Sequence, residues 1–273
     1  MSLGEFEHQL ELLIIDPQND FHPYPNSTLG VNGALEDAKR IANLIHDLKD
    51  SLDDIRVTVD THQKMAIFFA RMWHWTSKRR SPDFFQVISE DDVKNGTFRA
   101  AFPVMQPIFE DYVRKLAENG RYQLTIWPDH CLFGTWGYNI QDDIMASLME
   151  WEEKYAARVG FEQKGHSMFT EHYSAVQADV QSDDPTTQMN TRLVDSLKRS
   201  RQVIICGQAA DYCVANTGID IANYFGPDAV KQLVFLSDCM SSVNPASGVG
   251  QAFLDDMKNR GATVCTAREF LSK

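Results

Sequence analysis

No apolar run in this chain is long enough to cross a bilayer, and no secretory leader opens it, so the sequence reads as a soluble cytosolic protein. An even, closely spaced cysteine pattern is missing too. Cys131, Cys206, Cys213, Cys239 and Cys265 are odd in number and widely spaced, which suits a reducing compartment better than a disulfide framework. Positive charge is scarce: 26 basic against 38 acidic residues leave a formal net charge of −12, which repels nucleic-acid backbones and anionic membranes alike. The one basic cluster, "SKRRS" at residues 77–81, reads as a solvated loop. Internal repeats and low-complexity linkers are also lacking. The opening Met1-Ser2-Leu3 reads as a cloning remnant. What remains is 273 residues with 43% hydrophobic content, enough to bury the core of a single α/β domain carrying an insertion.

Short apolar runs alternate with helical patterns over most of the length. The runs end at Asp16, Asp60, Trp127, Lys164, Gly207 and Asp238; helical spacing occupies residues 34–52, 107–119, 142–155, 191–200 and 214–225. That alternation predicts βα units around a mainly parallel sheet, a three-layer α/β/α sandwich. Residues 63–105 break the rhythm. They are rich in aromatics and show no clear strand, and they read as an insertion covering one edge of the domain, as a lid or a subunit interface. An aromatic stripe of this kind is more often packing than a ligand box.

In an open parallel sheet the ligand lies beyond the carboxyl ends of the strands. The residues found there are Asp16, Asp60 with His62, His130, Lys164 and Cys213. Cys213 follows a buried strand and opens a helical pattern, where the helix dipole favours a thiolate. For a cysteine with no partners the commoner reading is a packed residue at a strand-to-helix turn. Asp16 could take the thiol proton, or could be a turn residue of "DPQNDF". Lys164 could hold developing charge, or could be a surface lysine before a turn. Asp60 and His62 alternate along an extended segment and can face one way. With His130 they form a one-carboxylate, two-histidine set suited to a catalytic Zn, Mn or Fe ion. His166 and His172 compete for the third place.

Six segments together resemble the isochorismatase-like cysteine hydrolases, and most closely their nicotinamidase branch. They are "LLIIDPQNDF", "VTVDTH", "IWPDHCLFGTWG", "FEQKG", "EHYSAV" and "VIICGQAADYCVANT", in the family's order from Leu12 onward, outside the insertion. The resemblance implies a triad of Cys213, Asp16 and Lys164. It implies a non-proline cis peptide between Gln208 and Ala209, with the Ala209 and Cys213 N–H groups forming an oxyanion hole. It implies a divalent metal, zinc first, on Asp60, His62 and His130, and aromatic pocket walls at Phe21 and Trp127. The activity implied is metal-assisted hydrolysis of nicotinamide or a related small amide through a thioester, by a homo-oligomer.

Two departures stand out: Thr61 replaces the branch's usual Trp, and the long insertion separates His62 from His130. The alternatives are a metal-independent ureido or carbamoyl amidase of the same superfamily, and a non-catalytic binding protein on this fold. Both histidines count against the first. The joint presence of Asp16, Lys164 and Cys213 counts against the second.

Overall fold

The computed structural model describes residues 7–272, so the opening Met1-Ser2-Leu3 lies outside the described residues. In chain order the elements are β1 (His8–Ile15), α1 (Ala34–Leu48), β2 (Asp54–Asp60), β3 (Trp73–Trp75), β4 (Val87–Ile88), α2 (Glu90–Lys94), β5 (Phe98–Ala100), α3 (Gln106–Asn119) and β6 (Leu124–Thr125). They continue with α4 (Asp142–Tyr155), β7 (Gly160–Lys164), α5 (Thr191–Lys198), β8 (Ser200–Gly207), α6 (Cys213–Phe225), β9 (Leu233–Leu236), α7 (Val249–Asn259), β10 (Thr263–Cys265) and α8 (Ala267–Leu271).

Six strands form one sheet in the order β10-β9-β8-β1-β2-β7, and every pairing in it is parallel. The central strand shows why. Leu12 and Ile14 pack into one hydrophobic cluster with α1, α4 and α8, while Leu13 and Ile15 pack into another with α5, α6 and α7. A strand buried on both faces needs an unbroken apolar run, and Leu12 to Ile15 are all fully buried. Each such side chain contributes about 1.5–3 kcal/mol relative to exposure. The three-layer α/β/α architecture expected from the alternation is therefore present.

The apolar run ending at Trp127 does not join this sheet, contrary to expectation. Its strand, β6, is two residues long and pairs antiparallel with β4. The expectation that residues 63–105 lack strands is corrected as well: β3 pairs with β5, and β4 with β6. The edge strand β10 was not expected at all. No helix among the described residues is long and apolar enough to cross a membrane.

Register brings the strand ends together. Asp60 on β2 is the partner of Lys164 on β7, and Ile15 on β1 is the partner of Gly207 on β8. Gly207 has φ 118°, and a Cβ there would lie 2.0 Å from the Ile15 carbonyl oxygen. Only glycine lets β8 end this close to β1.

Candidate active site

Lys164 ties the strand ends together. Its Nζ lies 3.0 Å from Asp16 Oδ2, 3.0 Å from Asp60 Oδ1 and 3.5 Å from Cys213 Sγ, and donates to the His172 carbonyl at 2.9 Å. An ammonium is tolerated in so dry a place because two carboxylates face it. Burial alone would lower its pKa, but Asp16 and Asp60 outweigh that and raise it well above the ordinary lysine value. Asp16 leaves β1 with φ 42°, a left-handed conformation uncommon outside glycine and typical of functional positions. Its Oδ1 accepts from the Thr58 hydroxyl at 2.5 Å. Its Oδ2 has the lysine beside it but no aligned hydrogen bond, which leaves a lone pair for a proton. Burial raises the Asp16 pKa, and Lys164 opposes this.

Cys213 is the first residue of α6, whose N-cap Tyr212 makes no side-chain capping bond. The dipole that should favour a thiolate is overridden: burial raises the thiol pKa well above its ordinary value, with Lys164 pulling the other way. The Gln208–Ala209 peptide is cis, as the family resemblance implies. The Gln208 side chain donates to Asp37 Oδ2 at 2.9 Å and accepts from the Ser241 N–H at 3.3 Å, which holds the loop in front of the cysteine.

Asp60, His62 and His130 converge, with one ligand-type atom from each lying within 4.8 Å of the others. His62 Nδ1 faces the Gly165 carbonyl at 3.3 Å and His130 Nδ1 faces the Pro128 carbonyl at 2.8 Å. A carbonyl can only accept, so both rings carry the proton on Nδ1 and present the Nε2 lone pair inward. His62 Nε2 lies 2.9 Å from Asp60 Oδ2, buried and without an aligned hydrogen bond. Burial also lowers the His62 pKa, against the pull of Asp60, and keeps the ring neutral as a ligand must be. These residues fit a divalent cation. A second convergence, Asp16, Asp60 and Cys213, has the Lys164 ammonium among its members and does not. His166 and His172 belong to neither group among the described residues.

Several functional positions escaped the sequence. The Gln18 side chain accepts from the Asp60 N–H at 2.7 Å and donates to the Asp60 carbonyl at 2.8 Å, splinting the metal-type segment to the loop after Asp16. Asp20 accepts from the Cys131 N–H at 2.8 Å and so fixes the loop carrying His130; a Cβ on Gly137 would lie 2.0 Å from its carboxylate. The aromatic-rich segment 63–105 supplies Phe68, 4.7 Å from the His62 ring, and Phe69, 5.8 Å from the His130 ring. Its aromatics are packing, as expected, and part of that packing is the apolar back wall of the histidines.

Phe21, Leu29, Trp127, Tyr173, Tyr212 and Glu171 surround Cys213 and leave a cavity of about 20 Å³, room for about one water. Phe21 and Trp127, the two expected wall residues, are among those lining it. Glu171 is buried with Oε2 unpartnered, and burial raises its pKa well above the ordinary value. Its segment is held by Asp179, which accepts from the Tyr173 N–H at 3.1 Å and is pushed up to about 7, chiefly by desolvation. Between pH 3.8 and about 7 the folded chain holds a proton there that the unfolded chain has released, so stability falls as pH rises through that window. Asp179→Asn is expected to flatten the fall. The ceiling is about 4 kcal/mol, and partial exposure of the side chain reduces it to about 1–2 kcal/mol. Thermal melts from pH 4 to pH 8 test this: parallel curves for variant and parent would show that Asp179 titrates normally.

The family model for the isochorismatase domain matches residues 118–269, a stretch that includes His130, Lys164 and Cys213. A nicotinamidase of Saccharomyces cerevisiae is 26% identical over 211 residues, 77% of this chain and 80% of that protein. The solved structure of the yeast nicotinamidase Pnc1p has TM-score 0.64 at 24% identity, covering 94% of this chain and 99% of that one. A pyrazinamidase of Pyrococcus horikoshii in complex with zinc has TM-score 0.54 at 19% identity, covering 94% and 99%. At these identities the two structural likenesses establish the fold.

Proposed function

The chain belongs to the isochorismatase family, and from that footing we propose that it is a cysteine-dependent, metal-assisted amidase that hydrolyses nicotinamide or a related small amide to the acid and ammonia. The observation that carries the reading is the place of the Lys164 ammonium, within 3.0 Å of two carboxylates and 3.5 Å of the Cys213 thiol. The aromatic lining and the names of the similar proteins support a flat aromatic substrate.

The chemistry assigned to the residues is acyl transfer. Asp16 Oδ2 takes the proton from Cys213 Sγ as the sulfur attacks the amide carbon, since a buried thiolate is too costly to form in advance. Lys164 stays charged and offsets the anionic character passing between Asp16 and the sulfur. The Ala209 and Cys213 N–H groups receive the oxyanion, each donor worth about 3 kcal/mol in the transition state. Asp16 returns the proton to the departing nitrogen, the C–N bond breaks and ammonia leaves. Water then attacks the thioester, giving up a proton to Asp16, and the acid and the free thiol are restored. Asp60, His62 and His130 would hold a divalent ion, zinc first, whose contribution is Lewis acidity toward a lone pair of the bound substrate. A homo-oligomer in the cytosol belongs to the same proposal, supported by an odd number of widely spaced cysteines for the compartment and by family resemblance for the assembly.

Ammonia release from nicotinamide by the purified protein, before and after chelation, tests the reading. Release that chelation removes and added zinc restores is expected. His130→Ala should weaken metal binding by more than the about 10–100-fold that loss of an outer partner costs. Normal metal content in that variant would remove His130 from the ligand set. Absence of release with metal bound would exclude nicotinamide as a substrate.

A further inference from the structure

Phe85 is held in a conformation that its residue type disfavours. It is the third residue of a turn closed by the Gln86 N–H on the Asp83 carbonyl at 3.2 Å, and its φ is 65°. Turns with positive φ at that position take glycine or asparagine, because a Cβ is strained there. Burial does not compensate, since Phe85 is 54% exposed. A bulky, strained, exposed residue calls for a reason beyond local folding.

The reason lies on its inner side. The Phe85 N–H donates to the Ile126 carbonyl and the Ile126 N–H to the Gln86 carbonyl, so the turn is stitched to the residue preceding Trp127. The Phe85 ring meets the Trp127 ring edge-on, with centroids 5.8 Å apart at 85°. Trp127 is 3% exposed and lines the Cys213 cavity; its Nε1 donates to the Tyr173 hydroxyl at 3.1 Å, and its ring crosses that of Tyr212 at 5.0 Å. Tyr173 and Tyr212 support the indole from their sides. Phe85 supplies a further support, and it comes from the insertion.

We propose that Phe85 is a positioning residue for the pocket wall: it holds the Trp127 indole at the angle that receives a flat ring beside Cys213, and so sets the preference for aromatic over aliphatic amides. The amide part of this rests on the function proposed above. The strained backbone and the exposed ring then share one explanation, because glycine would relax the turn but leave the indole free to tilt.

Phe85→Gly tests this, with Phe85→Tyr as the conservative variant. The readout that needs no substrate is alkylation of Cys213, in which the sulfur displaces iodide from iodoacetamide or from its N-benzyl derivative. It is followed by intact mass, with Cys213→Ala as blank. The rate ratio of the aromatic to the plain reagent is expected to fall about three- to tenfold in Phe85→Gly, the range of one edge-to-face contact, and to be kept in Phe85→Tyr. The thermal midpoint of Phe85→Gly should not fall. With nicotinamide, KM should rise by a similar factor and kcat should change less than twofold. An unchanged reagent ratio would overturn the proposal, as would a lowered midpoint with both reagents affected equally. Failure of the parent to hydrolyse nicotinamide would defeat the amidase reading alone, because the reagent ratio still decides the role of Phe85.

Discussion

Replacing Cys213 with alanine is expected to abolish amide hydrolysis, by at least about 10⁴-fold in kcat, while bound metal and fold stay as they were. Removing a nucleophile costs the whole covalent route, and what survives is the background provided by binding and oxyanion stabilisation. The side chain is small and buried, and the lost Sγ is one of four partners within 3.5 Å of Lys164 Nζ. The ammonium keeps Asp16, Asp60 and the His172 carbonyl, so the electrostatic knot survives. Metal content measured beside turnover separates the two machineries, since the Asp60, His62 and His130 set does not include the thiol. Turnover retained in the variant would rule out the thioester and leave direct attack by water.

Lys164→Met is expected to have the largest effect on stability. The lysine is 2% exposed and two carboxylates face it. Methionine keeps the length and removes the charge, leaving Asp16 and Asp60 buried without their cation. Breaking a buried pair by deleting one partner costs about 3–5 kcal/mol, on the order of 10 °C in melting temperature for a chain of this size. The loss should depend on pH in a fixed direction. Without the ammonium Asp16 loses the group that opposes its burial, while His62 still favours ionised Asp60, so folded Asp16 holds its proton more tightly than in the unfolded chain and stability declines as pH rises. The gap between variant and parent should therefore be smaller near pH 5 than near pH 8. Equal melting temperatures at both pH values would show that the lysine does not balance these carboxylates. Hydrolysis should be lost as well, because a protonated Asp16 cannot accept the thiol proton.

Asp16, Asp60 and Lys164 could be named from the sequence because their place follows from chain direction, whereas Phe21, Trp127 and Ala209 came only through the family resemblance, and His130 follows a strand that lies outside the parallel sheet. Parallel strands deliver their last residues to one edge, so Asp16, Asp60 and Lys164 meet wherever the rest of the chain goes. Gln18 and Asp20 could not be found that way. In "DPQNDF" they look like turn formers, and what they do depends on Asp60 and Cys131, partners 42 and 111 residues away. The segment before Trp127 misled for a related reason: an apolar run does not say which strand it pairs with, and Val87–Ile88 claimed it. The protonation state of Cys213 could not be read because a helix N-terminus is visible in sequence and the depth at which it is buried is not. The insertion looked like an outer cover because its aromatics have no periodicity, yet Phe68 and Phe69 pack on the histidine rings.

The lining beside Cys213 comes from six separate places in the chain: Phe21 follows β1, Asp60 ends β2, Trp127 follows β6, Tyr173 follows β7, Tyr212 follows β8 and Val243 follows β9. No single segment carries the pocket, so it exists only once distant parts of the chain have met. A chain folded only in part holds the cysteine without the walls around it. Hydrolysis and native structure should therefore be gained and lost together.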